Sequence, residues 1–388
     1  MAAALVSGLA AGAQAGPLPL KICHIDDRSG SAADTGIESL NGLNMVIEPL
    51  NAAGGINGRK IELITYDGKT DPQLTATFAT RCAEDDQGLL IIGGSPSATA
   101  QAMVPVANQY RIPYYILSAA SVDMKGAAYH FRFGPDVTQD AISVADSLGE
   151  LGFKKVAIIN NSVPFGINGA ASVTAALKEK GIEVATQETY DIAATDVSPQ
   201  VINLLQADPE AVLIYPYPAD GARVVRTIRQ LGLDVPLVMP RVGMMKAFRE
   251  LASDAGNGVL VPSSVDMTRP EVEKFFEDYG EMYGSVVPSP SPAQGYDAGV
   301  LAAKVLSDPE VQKAIEGGDL EAAREAIRLA TERHGQFVGM QGQAGVAYQF
   351  AEGQHHGPPD RKFFVFMQVA EDGAALVTPD PEAIKPKN

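Results

Sequence analysis

Leu89-Leu90-Ile91-Ile92-Gly93-Gly94-Ser95-Pro96-Ser97-Ala98-Thr99 and, after a helical run, Ile112-Pro113-Tyr114-Tyr115-Ile116-Leu117-Ser118-Ala119-Ala120-Ser121 decide the reading of this chain. Twice, an apolar run gives way to small, hydroxyl-bearing residues. Such a run is the mark of a parallel strand buried on both faces. In open α/β sheets, ligands sit just past the carboxyl ends of the strands. Two adjacent strand ends here offer hydroxyls and free backbone N–H groups at one place, suited to the carboxylate of a small ligand. The plainer alternative is two strand-to-helix turns with Ser and Thr as N-caps.

Working outward, the same alternation fills the first third of the chain. Lys21–Ile25 reads as a strand. Apolar residues at Ile37, Leu40, Leu43, Ile47 and Leu50 give a helix with one buried face, closed by Gly54-Gly55. Lys60–Tyr66 is a strand, and Asp71-Pro72 opens a helix through Cys82 with Asp as cap and Pro at the first position. The pattern then repeats. Tyr66-Asp67 followed by Thr70-Asp71-Pro72-Gln73 is echoed by Tyr190-Asp191 followed by Thr195-Asp196-Val197-Ser198-Pro199-Gln200. Lys155–Asn160, Ile182–Tyr190 and Ala211–Tyr215 are the strands of the second unit, and Ile112-Pro113 is matched by Val235-Pro236. Two similar α/β halves imply two lobes with equivalent strand ends facing each other. Beyond Met239, strands are expected near Gly258–Pro262, Val346–Phe350 and Phe363–Val369, and helices over Pro270–Tyr283, Ala293–Leu306 and Leu320–His334. Thr378–Asn388 reads as a loose tail.

The chain has 388 residues, 46% hydrophobic, which is ample for two lobes. Lys+Arg total 30 against Asp+Glu 47, a formal net charge of -17. That surface repels phosphate backbones and anionic lipid, which argues against nucleic-acid or membrane-surface binding. Met1–Ala15 is small and apolar and ends in Ala13-Gln14-Ala15, the pattern of a signal-peptidase site. It is too short to span a bilayer and lacks a basic start. It reads either as the end of a signal peptide that begins upstream, the favoured reading, with residues 16 onward exported, or as a floppy neutral tail. The 2 cysteines, Cys23 and Cys82, fit either a disulfide in an oxidising compartment or two buried thiols.

Other charged or metal-ligating residues suggest no chemistry. Asp26-Asp27 and Glu84-Asp85-Asp86 read as solvated loop and helix-end charges, since metal ligands must converge from several elements. His355-His356 lies in a Gly/Pro turn where neighbours point apart, and His24 reads as a packed strand residue. No metal or cofactor is expected. There is no G-x-S-x-G elbow, Walker loop or G-x-G-x-x-G, and Ser97 has no evident base, so no enzyme is expected.

Ser29-Gly30, the run Leu50-Asn51-Ala52-Ala53-Gly54-Gly55-Ile56-Asn57-Gly58-Arg59-Lys60-Ile61, Tyr66-Asp67, Asp71-Pro72, Ser97 ahead of Pro105-Val106-Ala107, Ser118–Ser121 and Gly295-Tyr296-Asp297-Ala298 together resemble the periplasmic leucine/isoleucine/valine-binding protein family. The resemblance spans the chain after Ala15. It implies a type I periplasmic binding fold, two Rossmann-like parallel-sheet lobes joined by a three-strand hinge. Lobe one would comprise 16–135 plus 262–345, and lobe two 136–261 plus 346–388. It further implies a periplasmic monomer that delivers a small carboxylate to an ABC permease and ATPase. A ligand-sensing receptor domain on the same fold is the alternative.

By position, the resemblance makes Ser97, Ala119 and Ser121 the carboxylate-binding residues of the first lobe. Phe165, Tyr217 and Arg241 face them from the second, and Thr35 takes the place of an aromatic over the ligand. The departures bear on the ligand. Arg241 stands where amino-acid binders carry the Glu that holds an ammonium, and an Arg there repels an ammonium and attracts an anion. Its other reading is a solvent-facing or lobe–lobe ion-pair residue. Thr35, and Ser291 near another aromatic's place, enlarge the pocket. Thr70 and the Ser95-Pro96 region replace the family's paired cysteines. The ligand classes left in view are an aromatic acid, a dicarboxylate or an amino-acid-like carboxylate.

Overall fold

A computed structural model of the chain describes residues 16–30, 32–284, 288–359, 361–370, 376–377, 382 and 384–386. Met1–Ala15, read as the end of a signal peptide, and most of Thr378–Asn388 lie outside the described residues.

The opening elements are β1 (Leu20–Asp26), α1 (Ala33–Ala52), β2 (Ile61–Asp67), α2 (Pro72–Glu84), β3 (Leu90–Gly93), α3 (Ser97–Gln109), β4 (Tyr114–Ile116) and β5 (His130–Arg132). Next come α4 (Val137–Glu150), β6 (Lys155–Asn161), α5 (Pro164–Glu179), β7 (Glu183–Tyr190), α6 (Ser198–Ala207), β8 (Ala211–Tyr215), α7 (Pro218–Gln230), β9 (Leu237–Val238), α8 (Lys246–Ala252) and β10 (Leu260–Ser263). The chain closes with α9 (Pro270–Tyr283), α10 (Pro290–Leu306), α11 (Pro309–Glu316), α12 (Leu320–His334), β11 (Gln336–Phe337), β12 (Tyr348–Gln349), β13 (Val365–Val369) and β14 (Leu376–Val377).

Two sheets result. The first, β2-β1-β3-β4-β5, is parallel throughout. The second, β14-β13-β10-β9-β8-β6-β7, is parallel except where β13 and β14 run antiparallel at its edge. The inner strands are apolar because helices cover both faces. In the first sheet, Ile22, Leu90 and Ile92 face a core shared with α10, α11 and α12, while Cys23, Ile25 and Ile91 face α2 and α3. In the second, Ala157 and Ile159 face α7 and α8, while Val156 and Ile158 face α4 and α5. Helix α1 lies directly on α10, and two glycines permit the approach. A Cβ on Gly42 would sit 2.0 Å from the Pro292 carbonyl oxygen, and one on Gly295 would sit 1.9 Å from that of Ser39.

Local signals act as the sequence suggests at α2, where the Asp71 carboxylate accepts from the N–H groups of Gln73 and Leu74 at 2.8 and 3.1 Å. Cys23 and Cys82 form a disulfide that ties β1 to α2, which decides between the two readings left open for them. Elsewhere the structure corrects the reading. Asp26 and Asp27 are buried rather than solvated. Asp26 accepts from the N–H and hydroxyl of Ser95, and Asp27 from the N–H and hydroxyl of Thr70, so distant partners compensate their desolvation. The strand expected over Val346–Phe350 pairs only at Tyr348–Gln349. That expected over Phe363–Val369 starts at Val365, after a tight helical turn at Arg361–Phe363. Of the segment 346–388 read as second lobe, Tyr348, Phe350, Phe363 and Phe364 join the first lobe's core. Tyr348 and Phe350 pack on Phe133, and only from Val365 does the chain enter the second sheet.

The chain passes between the two sheets three times, between β5 and β6, after β10 and ahead of β13, and a buried polar network joins Ser264, just past β10, to first-lobe residues. Gln341 accepts from the Ser264 hydroxyl at 2.7 Å and from Gln294 Nε2 at 3.3 Å, and donates to the Tyr348 hydroxyl. Tyr348 donates in turn to Asp297 at 3.0 Å, and the Ser118 hydroxyl bonds Gln294.

Candidate functional site

The residues expected to form a site lie at the strand ends of the two sheets. Pro96 starts α3 in extended conformation, which sets Ser97 as the first helical residue. Ser97 Oγ accepts from the Ser121 N–H at 3.1 Å, so the two strand ends are joined. The Ser121 N–H is therefore not free, contrary to the sequence expectation. What the pair presents instead is the Ser97 hydroxyl proton and the exposed Ser121 hydroxyl. Ala119 is buried between them and can contribute only its backbone.

On the second lobe, Pro164 and Pro218 open α5 and α7 just beyond β6 and β8. The side chains beside them, Phe165 and Tyr217, stack with ring centroids 5.5 Å apart and planes 17° apart. Tyr217 is held by its backbone. Its N–H donates to Asp220 at 3.1 Å, and Asp220 also accepts from Asn161 Nδ2 at 3.0 Å and the Tyr190 hydroxyl at 2.7 Å. The Tyr217 ring itself is exposed, which leaves an aromatic face for a ligand.

Arg241 starts the tight helical turn Arg241–Met244 after β9. It reaches across the lobes, where its Nη1 donates to the Ser118 carbonyl at 2.8 Å. Ser118 lies three residues before Ser121, on the same loop. Among the described residues, no hydrogen bond or ring contact joins Thr35 to this group; it is half-buried in the first turn of α1. Ser291 is buried in the first turn of α10.

Sequence reasoning missed Asp140. It lies one turn into α4, in a stretch between 122 and 154 to which the reading gave no element. The available signal was a capping box. Asp136 accepts from the Thr138 and Gln139 N–H groups, both at 2.8 Å, and Gln139 Oε1 accepts from the Asp136 N–H at 3.1 Å. Burial pushes the Asp140 carboxyl up to about 6, while the charge of Arg241 pulls it back down. Burial, and after it the charge of Asp140, raise Tyr215, the last residue of β8.

His355 and His356 do point apart. His355 Nε2 meets Glu332 at 2.8 Å, while His356 faces Asp136 at 4.0 Å. Among the described residues, no group of three or more His, Cys, Asp or Glu side chains is arranged to hold a metal ion, and no helix is long and apolar enough to cross a membrane.

Comparison with known proteins gives a consistent result. A family model described as periplasmic binding protein matches residues 19–374. The Leu/Ile/Val-binding protein homolog 7 of Brucella abortus (strain 2308) is 26% identical over 98% of this chain and 96% of its own length. Homolog 4 of Brucella melitensis biotype 1 is 28% identical over 84% of this chain and 79% of its own. Among solved structures, the branched-chain amino acid transporter substrate-binding protein LivJ of Streptococcus pneumoniae, in complex with isoleucine, superposes with a TM-score of 0.74. It is 20% identical, over 93% of this chain and 100% of that one. The Rhodopseudomonas palustris protein Rp1789 superposes with a TM-score of 0.76 at 24% identity, over 93% and 100%.

Proposed function

Since this chain belongs to the periplasmic binding protein family, we propose that it holds a small carboxylate solute between its lobes and presents it to an ABC importer of the branched-chain amino acid type. Proteins of this family work outside the cytoplasm and bind without catalysing a reaction. In this reading, residues from 16 onward are exported by way of Met1–Ala15 and act as a monomer. The solute is an aromatic acid, a dicarboxylate or an amino-acid-like carboxylate. The Ser97 and Ser121 hydroxyls donate to its carboxylate, and Ala119 lines the floor. Phe165 and Tyr217 cover its apolar part, and Thr35 leaves room at the rim. Arg241 supplies charge at the opposite wall, and closure about the hinge forms the surface that the permease reads.

One observation carries this reading: the Arg241 bond to Ser118 across the lobes, three residues from the Ser97–Ser121 pair. A thermal-shift screen of leucine, benzoate, glutarate and carboxamides tests it. A solute at a hundred times its Kd should stabilise the fold by about 2.7 kcal/mol. The Ser97→Ala/Ser121→Ala variant should lose that shift. Retention of the full shift in this variant would remove the two serines from the site.

A further inference from the structure

We propose that Arg132 is a positioning residue for the solute: it sets where Ser121 stands and ties that position to the first helix of the second lobe. This deepens, and rests on, the reading that a small carboxylate lies between the lobes.

Arg132 is the last residue of β5, and its backbone is fixed. It pairs with Ile116 of β4 in the first sheet. Its N–H donates to the His355 carbonyl at 2.8 Å, and its own carbonyl accepts from the Gly357 N–H at 3.0 Å. From this stem the buried side chain reaches the loop that carries Ser121. Nη1 donates to the Val122 carbonyl at 3.1 Å and, more weakly, to the Ala120 carbonyl at 3.5 Å. Those two carbonyls flank Ser121, whose N–H is held separately by Ser97 Oγ at 3.1 Å. Ala120 and Val122 are buried, and Ser121 between them is exposed. The loop is thus held on either side of the one residue it presents.

The other arm of the guanidinium reaches the second lobe. Nη2 donates to Asp136 Oδ2 at 3.2 Å. Asp136 caps α4 through its other oxygen, Oδ1, which accepts from the Thr138 and Gln139 N–H groups. Helix α4 in turn buries Val144 and Leu148 in a core of the second lobe. His356 Nδ1 stands 4.0 Å from Oδ2, too far for a hydrogen bond, so among the described residues Arg132 is the donor to that oxygen. A turn of α4 about the hinge therefore pulls on the same guanidinium that holds the Ser121 loop. Arginine suits this task, because its planar fork serves several acceptors in fixed directions, whereas a lysine is a compact point charge.

The test has two arms, both on the full chain. The first needs no solute. Asp136→Asn keeps a capping side chain on α4 but leaves Arg132 a neutral partner. It should speed amide exchange over residues 119–122 by about threefold or more, and should add nothing when Arg132→Lys is already present. Exchange there that matches the parent, or equal acceleration in both backgrounds, overturns the proposal. The second arm reads affinity for leucine, benzoate and glutarate by calorimetry. Arg132→Lys should weaken the tightest-binding of these by about tenfold, and that loss should vanish in the Ser121→Ala background. The same loss in both backgrounds would mark a general structural role and overturns the proposal. If Arg132→Lys does not fold, Asp136→Asn takes its place against Ser121→Ala, with the same two outcomes. If none of the three probes binds the parent, the carboxylate reading fails by itself, and the exchange arm decides whether Arg132 couples Ser121 to α4.

Discussion

Asp26 in the first lobe and Asp220 in the second occupy the same kind of place, a buried carboxylate at the strand ends that collects donors from neighbouring elements. Asp26 gathers the N–H of Asp27 at 2.9 Å and the N–H and hydroxyl of Ser95 at 3.1 and 2.6 Å. Asp220 gathers Asn161, Tyr190 and the N–H of Tyr217. The lobes differ in what surrounds that device. The first adds the Cys23–Cys82 disulfide and a buried arginine, Arg324, whose guanidinium donates to the carbonyls of Ala83, Gly88 and Tyr110. The second has no cysteine and leaves its exposed Tyr217 ring to be covered from outside. The contrast suggests a division of labour. Under the proposed binding role, a stapled lobe would fix the Ser97–Ser121 donors, and a lobe held by hydrogen bonds would bring the aromatic pair and Arg241 to them.

The largest expected effect comes from removing the staple. The bond closes a sequence separation of 59 residues, and the chain-entropy relation assigns such a loop about 4 kcal/mol. Cys23→Ala/Cys82→Ala should therefore unfold its first lobe at markedly lower urea, with the second lobe's transition near its original midpoint. Hydrogen exchange read by peptide separates the two. Equal loss of protection in both lobes would mean that they unfold as one unit and would end the contrast. Both sulfurs are fully buried, so reductant should act on the parent only at the rate of unfolding.

A smaller effect should follow in the other lobe from Asp220→Ala. It orphans the Tyr190 hydroxyl, Asn161 Nδ2 and the Tyr217 N–H at once, a loss of roughly 2–4 kcal/mol. The fall in stability should be confined to the second lobe, and ligand affinity should drop with it, because Tyr217 loses its anchor. Asp220→Asn keeps the shape and part of the bonding and should fall between. If Asp220→Ala lowers stability but leaves affinity intact, the Phe165–Tyr217 stack does not depend on that anchor.

How much of this was legible follows from the range of each interaction. Parallel strands covered on both faces must be continuously apolar, so Leu89–Ile92 and Ala211–Tyr215 declared themselves, and the repeated Tyr-Asp and Thr-Asp elements announced two lobes. Ser97 and Ser121 stood out because each follows such a run. The partner of Asp26, however, lies 69 residues away and that of Asp27 lies 43 away. No local pattern reveals that a charge-rich loop is buried. Asp140 stayed hidden for a related reason. Its helix mixes Ser, Thr and Asp with the apolar residues, so neither the helix nor the burial of that carboxyl stood out.

The smallest expected effect is a pH dependence confined to one lobe. His24 is buried in β1, and burial together with Arg28 lowers it to about 3. An unfolded histidine titrates near 6.5. Below that pH the unfolded chain takes up a proton that the folded His24 refuses. Its contribution to stability is thus lost as pH falls from 6.5 toward 3, by about 1 kcal/mol per pH unit. Asp26, two residues on, acts with the opposite sign. Burial raises it from 3.8 to about 6, so the folded state takes up its proton first and gains stability as pH falls from 6 toward 4. The two nearly cancel in the parent between pH 6 and 4. His24→Gln should break the balance: destabilising at pH 7.5, it should lose that deficit progressively on acidification, at about 1 kcal/mol per pH unit. No histidine occurs between residues 136 and 261, so second-lobe peptides should exchange alike in parent and variant across the range. A deficit that stays constant from pH 7.5 to 4.5 would show that His24 does not titrate differently on folding, and the contrast between the lobes would then rest on the staple, Arg324 and the Tyr217 ring.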